Sequence, residues 1–334
     1  MEGNRSSASD PLLKVEGLKI DFWTEGGILK AVRGVDFSLQ KGQVLGIVGE
    51  SGSGKSVTAL SILRLISSPP GTIRGGKILF QGQDLLTMSL KKMRKVRGDR
   101  ISMIFQEPMT SLNPLYSIGN QIMEAIILHQ DLGRKEAYQR ALSILDRVGI
   151  PDPVMRMKHY PYQLSGGMRQ RAMIATALSC RPELLIADEP TTALDVTIQA
   201  QILDLLERLK EEITMSMILI THNLALVKNI TNRLAIMYAG KIVEYAPTRE
   251  LFSNPIHPYT RGLLECIPRL KGKRDSLNTI PGNLPNPLEP PGGCAFHPRC
   301  PSVKEACSQT EPDLFEMKPD HKVSCHFFKR GNVQ

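Results

Sequence analysis

The segment VLGIVGESGSGKS, residues 44–56, decides the fold that we predict for this chain. A short apolar strand at residues 44–48 runs into a glycine-rich loop, and Lys55 begins a helix predicted to reach about Leu65. The loop fits the spacing G-x-x-x-x-G-K-[ST], in which glycines let successive backbone N–H groups face an anion. The order of strand, loop and helix also directs the positive end of a helix dipole at the loop. The segment therefore predicts a phosphate-binding loop in an α/β sheet.

This loop supplies most of the contacts that we predict with the phosphates of a bound nucleotide. Lys55 should reach the β and γ phosphates, and the hydroxyl of Ser56 should bind Mg²⁺. The other predicted binding residues of the loop are Gly49, Ser51, Gly52, Ser53 and Gly54.

A second apolar strand, at residues 184–187, ends in two adjacent acids. We expect Asp188 to hold Mg²⁺, directly or through water, and Glu189 to accept a proton from the water that attacks the γ-phosphate. A strand that ends in Asp-Glu is common by itself, because charged residues often follow a buried strand where it meets solvent. Together with a phosphate loop, the pair predicts a site that hydrolyses ATP.

A third motif, LSGGM at residues 164–168, resembles the signature of ABC-type ATPases. The family resemblance implies that two nucleotide-binding domains meet head to tail, and that the signature of one subunit contacts the γ-phosphate held by Lys55 of the other. Met168 stands where the family usually has Gln, and this departure removes no phosphate-binding group. The residues that would make the contact are Ser165, Gly166 and Gly167.

Further residues resemble the remaining motifs of this family, in the family's order. Gln106 resembles the Q-loop glutamine, residues 192–195 (TALD) resemble the D-loop that ends in Asp195, and His222 resembles the switch histidine. Phe22 matches the aromatic residue that stacks on adenine. The resemblance implies catalytic roles for Gln106 and His222, with Gln106 also bound to Mg²⁺ and placed towards a membrane subunit.

The resemblance implies an α/β fold with an ABC-type nucleotide-binding domain over residues 12–250. This domain should combine a phosphate-loop core sheet, an antiparallel β edge and a helical subdomain at about residues 117–180. A polar tail at residues 1–11 precedes it and lacks the apolar stretch of a signal peptide, so we expect no export. A small Pro- and Cys-rich C-terminal domain should follow at residues 251–334, a region that we expect to be richer in loops than in layered sheet.

Two stretches narrow the resemblance to one branch of the family. NPIHPYT at residues 254–260 and FQEPMTSLNP at residues 105–114 are similar to ATPase subunits of dipeptide and oligopeptide importers. The resemblance implies an ATPase coupled to peptide import, peripheral at the cytoplasmic face of the cell membrane. Its partners would be two transmembrane permease subunits, a second ABC ATPase subunit of the same or a sister chain, and indirectly an extracytoplasmic peptide-binding protein.

The composition leaves one alternative function to weigh. The net charge is +9, from 42 Lys and Arg against 33 Asp and Glu. The densest basic run, residues 91–100, is read as a solvated helix face, and it matches no nucleic-acid-binding module, so we expect no specific nucleic-acid partner. A soluble ABC-type ATPase that acts on nucleic acid or ribosomes would share the nucleotide motifs. Such proteins usually fuse two nucleotide domains or insert a long coiled coil, and this sequence shows neither.

Four cysteines in the C-terminal region form a candidate metal site: Cys294, Cys300, Cys307 and Cys325. Four thiolates are a full ligand set for zinc or for an iron–sulfur cluster, whereas disulfides are disfavoured in a reducing compartment. Structural zinc sites usually pair cysteines at closer spacing, but zinc stays an alternative. The resemblance to peptide importers implies a [4Fe-4S] cluster, which we expect to order the tail without taking part in ATP chemistry.

Overall fold

The computed structural model describes residues 10–192, 195–267 and 279–328. Most of the polar N-terminal tail, up to residue 9, lies outside the described residues, as do Ala193 and Leu194 of the predicted D-loop. In the described ranges, no helix is both long enough and apolar enough to cross a membrane.

Twelve strands lie within the described ranges, and they form two sheets. A four-stranded antiparallel sheet has the order β2-β1-β4-β5, and an eight-stranded mixed sheet has the order β11-β12-β10-β9-β3-β8-β7-β6. The strands are β1 (Leu13–Thr24), β2 (Gly27–Leu39), β3 (Val44–Val48), β4 (Gly71–Phe80), β5 (Gln83–Asp84), β6 (Ile101–Ile104), β7 (Leu184–Asp188), β8 (Ser216–Thr221), β9 (Arg233–Tyr238), β10 (Lys241–Pro247), β11 (Phe315–Lys318) and β12 (His321–Val323).

The α-helices of the same ranges include a run of five between β6 and β7 in the chain. They are α1 (Lys55–Ile62), α2 (Leu90–Val96), α3 (Pro108–Ser111), α4 (Ile118–Gln130), α5 (Arg134–Arg147), α6 (Pro153–Arg156), α7 (Gly166–Leu178), α8 (Val196–Ile213), α9 (Leu224–Val227), α10 (Thr248–Ser253), α11 (Pro258–Glu265) and α12 (Glu305–Gln309).

The central strands of the large sheet are buried on both faces. All five residues of β3 are buried, and β3 pairs in parallel with β8 and β9. Because side chains alternate across a strand, Val44 and Val48 join one hydrophobic cluster with α4, α5 and α7, whereas Leu45 and Ile47 join a second with β1 and β4. The sheet is therefore packed between a helical layer and the antiparallel sheet, which confirms the predicted α/β class.

Helix α1 ends three residues earlier than predicted. Leu63 leaves helical geometry, and Arg64 takes a left-handed φ of 51°, which a continuing helix cannot accommodate. The guanidinium of Arg64 donates to the carbonyl oxygens of Leu85 and Met88, so a tertiary contact stabilises this turn. The sequence around α1 shows no glycine or proline at this position, and this explains the longer prediction.

The C-terminal region contributes strands β11 and β12 to the edge of the large sheet, where β12 pairs with β10. Beneath this edge, the buried carboxylate of Glu244 accepts hydrogen bonds from the backbone N–H groups of Ile256 (2.8 Å) and His257 (3.0 Å). The Nε2 of His321 lies 2.7 Å from the same carboxylate. A buried acid is tolerated here because its oxygens are satisfied by these donors.

His257 makes the folded state sensitive to acid. Its side chain is buried, and this burial lowers its pKa to about 4, against about 6.5 in an unfolded chain. Between these values the unfolded chain binds a proton that the folded chain excludes, so this residue's contribution to stability is present above pH 6.5 and is lost as the pH falls towards 4. Because one proton is involved, His257 can change the unfolding free energy by at most about 1.4 kcal/mol per pH unit.

We expect His257→Asn to reduce the fall in unfolding free energy between pH 6.5 and 4, measured by urea denaturation at a series of pH values. Asn removes the titrating ring but can still accept the hydrogen bond that Nδ1 of His257 receives from the N–H of Tyr259 at the start of α11. His129→Asn, in α4, is the control for loss of a histidine elsewhere. An unchanged slope in the His257 variant would contradict this assignment.

Candidate functional site

The glycines of the phosphate loop are required by close backbone contacts. A Cβ atom at Gly49 would lie 2.2 Å from the carbonyl oxygen of Met237, and one at Gly54 would lie 2.5 Å from that of Ala31. Gly54 also has a φ of 98°, at the position that caps α1. The loop between β3 and α1 is therefore held tightly against β2 and β9, with the N-terminus of α1 at its end.

Lys55 lies folded across the loop that precedes it. Its Nζ donates to the carbonyl oxygens of Gly49 and Glu50, both at 2.8 Å, and to the hydroxyl of Ser53 at 3.4 Å. Burial lowers the pKa of Lys55, and the nearby carboxylates of Glu189, Asp188 and Glu50 oppose that shift. The ammonium group is thus pre-positioned at the loop, and its direct partners among the described residues are carbonyl and hydroxyl oxygens, the kind of site that favours an added anion.

Asp188 ends β7 directly beside the start of α1. Its Oδ1 accepts a hydrogen bond from the hydroxyl of Ser56 at 3.0 Å. Burial raises the pKa of Asp188, because the charged form loses hydration. The hydroxyl of Ser56 and the carboxylate of Asp188 are adjacent oxygen ligands. Mg²⁺ prefers ligands of this type, so the pair fits the predicted metal.

The carboxylate of Glu189 contacts three side chains from different parts of the chain. Its Oε2 accepts hydrogen bonds from Nε2 of Gln106 at 3.2 Å and from the hydroxyl of Thr192 at 2.8 Å. The Nδ1 of His222 lies 3.2 Å from the same oxygen. The backbone of Glu189 has a left-handed φ of 44°, and its N–H donates to the carbonyl of Ile220 in β8. The fold therefore brings together Gln106, Glu189 and His222, which are far apart in the sequence.

A cavity of about 590 Å³ opens from this cluster towards the four-stranded sheet. Lys55, Ser56, Gln106 and Glu189 line its polar end. Phe22 and other residues of the antiparallel sheet also line the cavity, so an aromatic ring is available to a base. The arrangement can accommodate a molecule with phosphates at one end and a flat ring at the other.

The signature residues do not reach this cavity within one chain. Ser165 caps α7, where its hydroxyl accepts a hydrogen bond from the N–H of Met168 at 3.3 Å. Ser165 is exposed, and a Cβ at Gly166 would contact no atom within 4 Å. Asp195 likewise caps α8, with its Oδ1 2.9 Å from the N–H of Ile198. Among the described residues, the cavity lining includes none from the signature or the D-loop.

The site includes residues of the C-terminal region that our sequence analysis missed. The guanidinium of Arg299 donates to both carboxylate oxygens of Glu50 in the phosphate loop, at 2.7 and 3.0 Å. The N–H of Glu50 donates to the hydroxyl of Tyr259. Residues 284–287 and Pro290 form part of the cavity wall. Nothing in the sequence marks these contacts, since they join segments more than 200 positions apart; the proline cluster alone indicates a loop.

The predicted [4Fe-4S] cluster is wrong. Within the described ranges, no group of three or more His, Cys, Asp or Glu side chains is arranged so that it could hold a metal ion, which also leaves the zinc alternative without a site. Cys294 and Cys300 pack on the main core, whereas Cys325 belongs to a separate small cluster. Burial raises the pKa of all three thiols. Cys307 is likewise a free, buried thiol.

Comparison with protein families identifies two matching regions. Residues 32–192 match the family model described as ABC transporter, and residues 243–307 match the one described as oligopeptide/dipeptide transporter, C-terminal region. The first region contains the phosphate loop, the signature and the acid pair. The second contains the residues of the C-terminal region that line the cavity, 284–287 and Pro290.

Solved structures share the fold of the ATPase region. The chain is similar to the dimeric ATP-binding cassette MJ0796 in a post-hydrolysis state bound to ADP and Pi, with a TM-score of 0.64 and 26% identity over 71% of this chain and 99% of that one. It is also similar to cbiO1 from Clostridium perfringens, part of the ABC transporter complex cbiONQ, with a TM-score of 0.62 and 26% identity over 74% and 92% of the two chains.

Curated relatives extend the similarity over nearly the whole chain. A putative peptide import ATP-binding protein of Brucella abortus is 51% identical, covering 94% of this chain and 96% of its own length. The oligopeptide transport ATP-binding proteins AppD of Bacillus subtilis and OppD of Escherichia coli are each 49% identical, covering 97% and 95% of this chain and 98% and 93% of their own. These relatives confirm the predicted resemblance: the chain belongs to the ABC transporter ATP-binding proteins that carry the oligopeptide/dipeptide transporter C-terminal region.

Proposed function

We propose that this chain is the ATP-hydrolysing subunit of a membrane importer for di- or oligopeptides. The observation that carries the proposal is the convergence of Gln106, Thr192 and His222 on the carboxylate of Glu189, beside the loop that holds Lys55. Similarity to relatives named as peptide import and oligopeptide transport ATP-binding proteins supports the cargo class.

The phosphate loop binds the nucleotide in this proposal. Backbone N–H groups of the loop and the N-terminus of α1 face the phosphates, and Lys55 exchanges its carbonyl partners for the β and γ phosphate oxygens. Phe22 stacks on adenine at the other end of the cavity. Ser51, Gly52 and Gly54 of the loop line the same cavity, while Gly49 and Ser53 pack closely within the loop.

Ser56 and Asp188 would hold Mg²⁺ with Gln106, and the metal would neutralise charge on the phosphates when bound. Glu189 accepts the proton of the attacking water, and its hydrogen bonds from Gln106 and Thr192 orient the carboxylate. The Nδ1 of His222 lies 3.2 Å from Oε2 of Glu189. From this position His222 would face the γ-phosphate and stabilise the charge that develops on it.

Two copies, or this chain and a sister ATPase, complete each site. The exposure of Ser165 and the free space around Gly166 support a contact made to another subunit's nucleotide. Gly167 and Asp195 would lie at the same interface. Bound ATP then favours the closed dimer, and hydrolysis removes the contacts that hold it together.

A surface of the helical subdomain is suited to a permease. Several large apolar side chains there are exposed, among them Leu115 at 79%, which is unusual for a residue of this type. The segment that contains it follows Gln106 closely, so a docked permease loop could influence the catalytic cluster. This supports a peripheral position at the cytoplasmic membrane face, with two permease subunits and, indirectly, an extracytoplasmic peptide-binding protein. The exposed apolar residues are Leu115, Tyr116, Val154, Met155 and Tyr162.

We also propose that residues 12–250 form the ATPase domain and that residues 251–334 form a C-terminal region built onto it. The β12–β10 pairing and the Arg299–Glu50 ion pair support this attachment.

Co-purification tests the proposed function: the tagged chain should recover permease subunits from detergent-solubilised membranes. Recovery of ribosomes or nucleic acid without permease would instead favour a soluble ATPase that acts on those partners.

The variant Glu189→Gln tests the role of the base. Gln keeps the shape and hydrogen-bonding capacity of the side chain but cannot take a proton, so ATP should still bind while turnover falls about 10²-fold or more. Phosphate release measures turnover, and size-exclusion chromatography with ATP should show a persistent dimer. Glu207→Gln, on the exposed face of α8, is the matched control. Turnover near the wild-type value would refute the assignment.

The variant Lys55→Ala tests the phosphate loop. Removing the ammonium group should weaken binding of ATP with Mg²⁺ about tenfold or more and should also lower turnover, because Lys55 is the cation held at the loop. Isothermal titration calorimetry measures the affinity, and Lys91→Ala, on exposed α2, controls for loss of a surface charge. The assignment fails if both affinity and turnover stay unchanged.

A further inference from the structure

The C-terminal region forms a wall of the nucleotide cavity in the same chain. We call residues 284–290 the strap; its Leu284, Pro285, Asn286, Pro287 and Pro290 line the cavity together with Phe22 and the phosphate loop. Neither the phosphate-loop motif nor the signature includes any of these positions, and they lie more than 200 residues after the loop in the chain.

The strap packs beside the turn between β1 and β2. Its Leu288 packs on the turn between β1 and β2: a Cβ atom at Gly26 would lie 3.0 Å from Cδ1 of Leu288. Phe22 and Thr24 belong to the strand that enters this turn, and both line the cavity. The strap therefore lies near the end of the strand that carries Phe22, and both line the cavity.

One buried side chain joins the phosphate loop to the segment just before the strap. The guanidinium of Arg299 donates from Nε to the carbonyl of Pro281 at 3.0 Å and from Nη2 to that of Ile280 at 3.3 Å. The same group makes the bidentate ion pair with Glu50, and its side chain is only 5% exposed. Because one planar guanidinium donates to both segments, it fixes their position relative to each other. The strap is thus placed by the loop that binds phosphate.

Within the strap itself, local geometry limits the backbone. Pro285, Pro287 and Pro290 restrict φ, and the carbonyl oxygen of the Asn286 side chain accepts a hydrogen bond from the N–H of Leu288 at 3.1 Å. Leu284 is nonetheless 41% exposed, although it is apolar and lines the cavity. A flat, largely apolar ligand that entered here would cover this side chain and gain its burial.

We propose that the strap binds the base of the nucleotide, so that the purine lies between Phe22 and Leu284 and the C-terminal region sets nucleotide affinity in cis. The proposal rests on the proposed function only in taking the ligand to be ATP. The ligand of the strap is the base, because the strap lines the same cavity as the phosphate loop, and that loop binds the phosphates. Arg299 is a positioning residue in this scheme, acting through Glu50 and through the backbone of Ile280 and Pro281 just before the strap.

The test separates the base from the phosphates. Isothermal titration of the full-length chain, with Mg²⁺, is carried out with ATP and with inorganic tripolyphosphate. Leu284→Ser should raise the Kd for ATP about fivefold, the size expected when one apolar contact is lost, and should change the Kd for tripolyphosphate less than twofold. Leu284→Met keeps an apolar side chain of similar volume and should bind ATP about as well as the wild type.

Leu128→Ser is the matched control, because Leu128 is also an exposed leucine, 71% exposed on α4, and does not line the cavity. It should leave both affinities unchanged. An unchanged Kd for ATP in Leu284→Ser would overturn the proposal, and so would an equal loss for ATP and tripolyphosphate. A wild-type chain that bound no ATP would instead refute the proposed function, so the two failures are distinguishable.

Discussion

The parallel register of three central strands is the constraint on which the site depends. Val48 of β3 pairs with Thr221 of β8, and Asp188 of β7 pairs with Ile220 of the same strand. The residues that follow these strands, Gly49, Glu189 and His222, therefore emerge at one edge of the sheet. Parallel strands expose the residues after their carboxyl ends together, and this is where ligands bind in open α/β sheets. Burial of the strands on both faces makes a slip of this register costly.

At that edge, burial acts on opposite charges in opposite ways. It lowers the pKa of Lys55 and raises that of Asp188, since each charged form loses hydration. Each group is compensated by the other and by polar contacts, through the carbonyls of the loop for Lys55 and the hydroxyl of Ser56 for Asp188. A site of this kind is ready to receive an anion with a divalent cation, which would satisfy both groups at once.

The C-terminal region is attached to the same edge of the molecule through polar contacts. Arg299 links Glu50 of the phosphate loop to Pro281, just before the strap, and the hydroxyl of Tyr259 accepts a hydrogen bond from the N–H of Glu50. The ring of Tyr259 packs against Tyr238 and Phe296, so the contact is backed by an aromatic cluster. Cys294 and Cys300 pack on one hydrophobic cluster and Cys325 lies in another, and among the described residues no group of His, Cys, Asp or Glu side chains is placed to hold a metal ion.

The sequence by itself determined the α/β class, the phosphate loop and the family, because those features rest on local spacing. A glycine loop between a strand and a helix, and an acid pair after an apolar strand, need only neighbouring residues to be recognised. The start of α1 at Lys55 also followed from the loop motif. By contrast, the end of α1, the Arg299–Glu50 pair and the wall formed by the strap were decided by tertiary structure. The same holds for the cysteines: their number and order suggested a ligand set, but only packing determines whether four thiols converge. Contacts between distant segments depend on how the sheet and its layers assemble, and no local pattern in the chain records that arrangement.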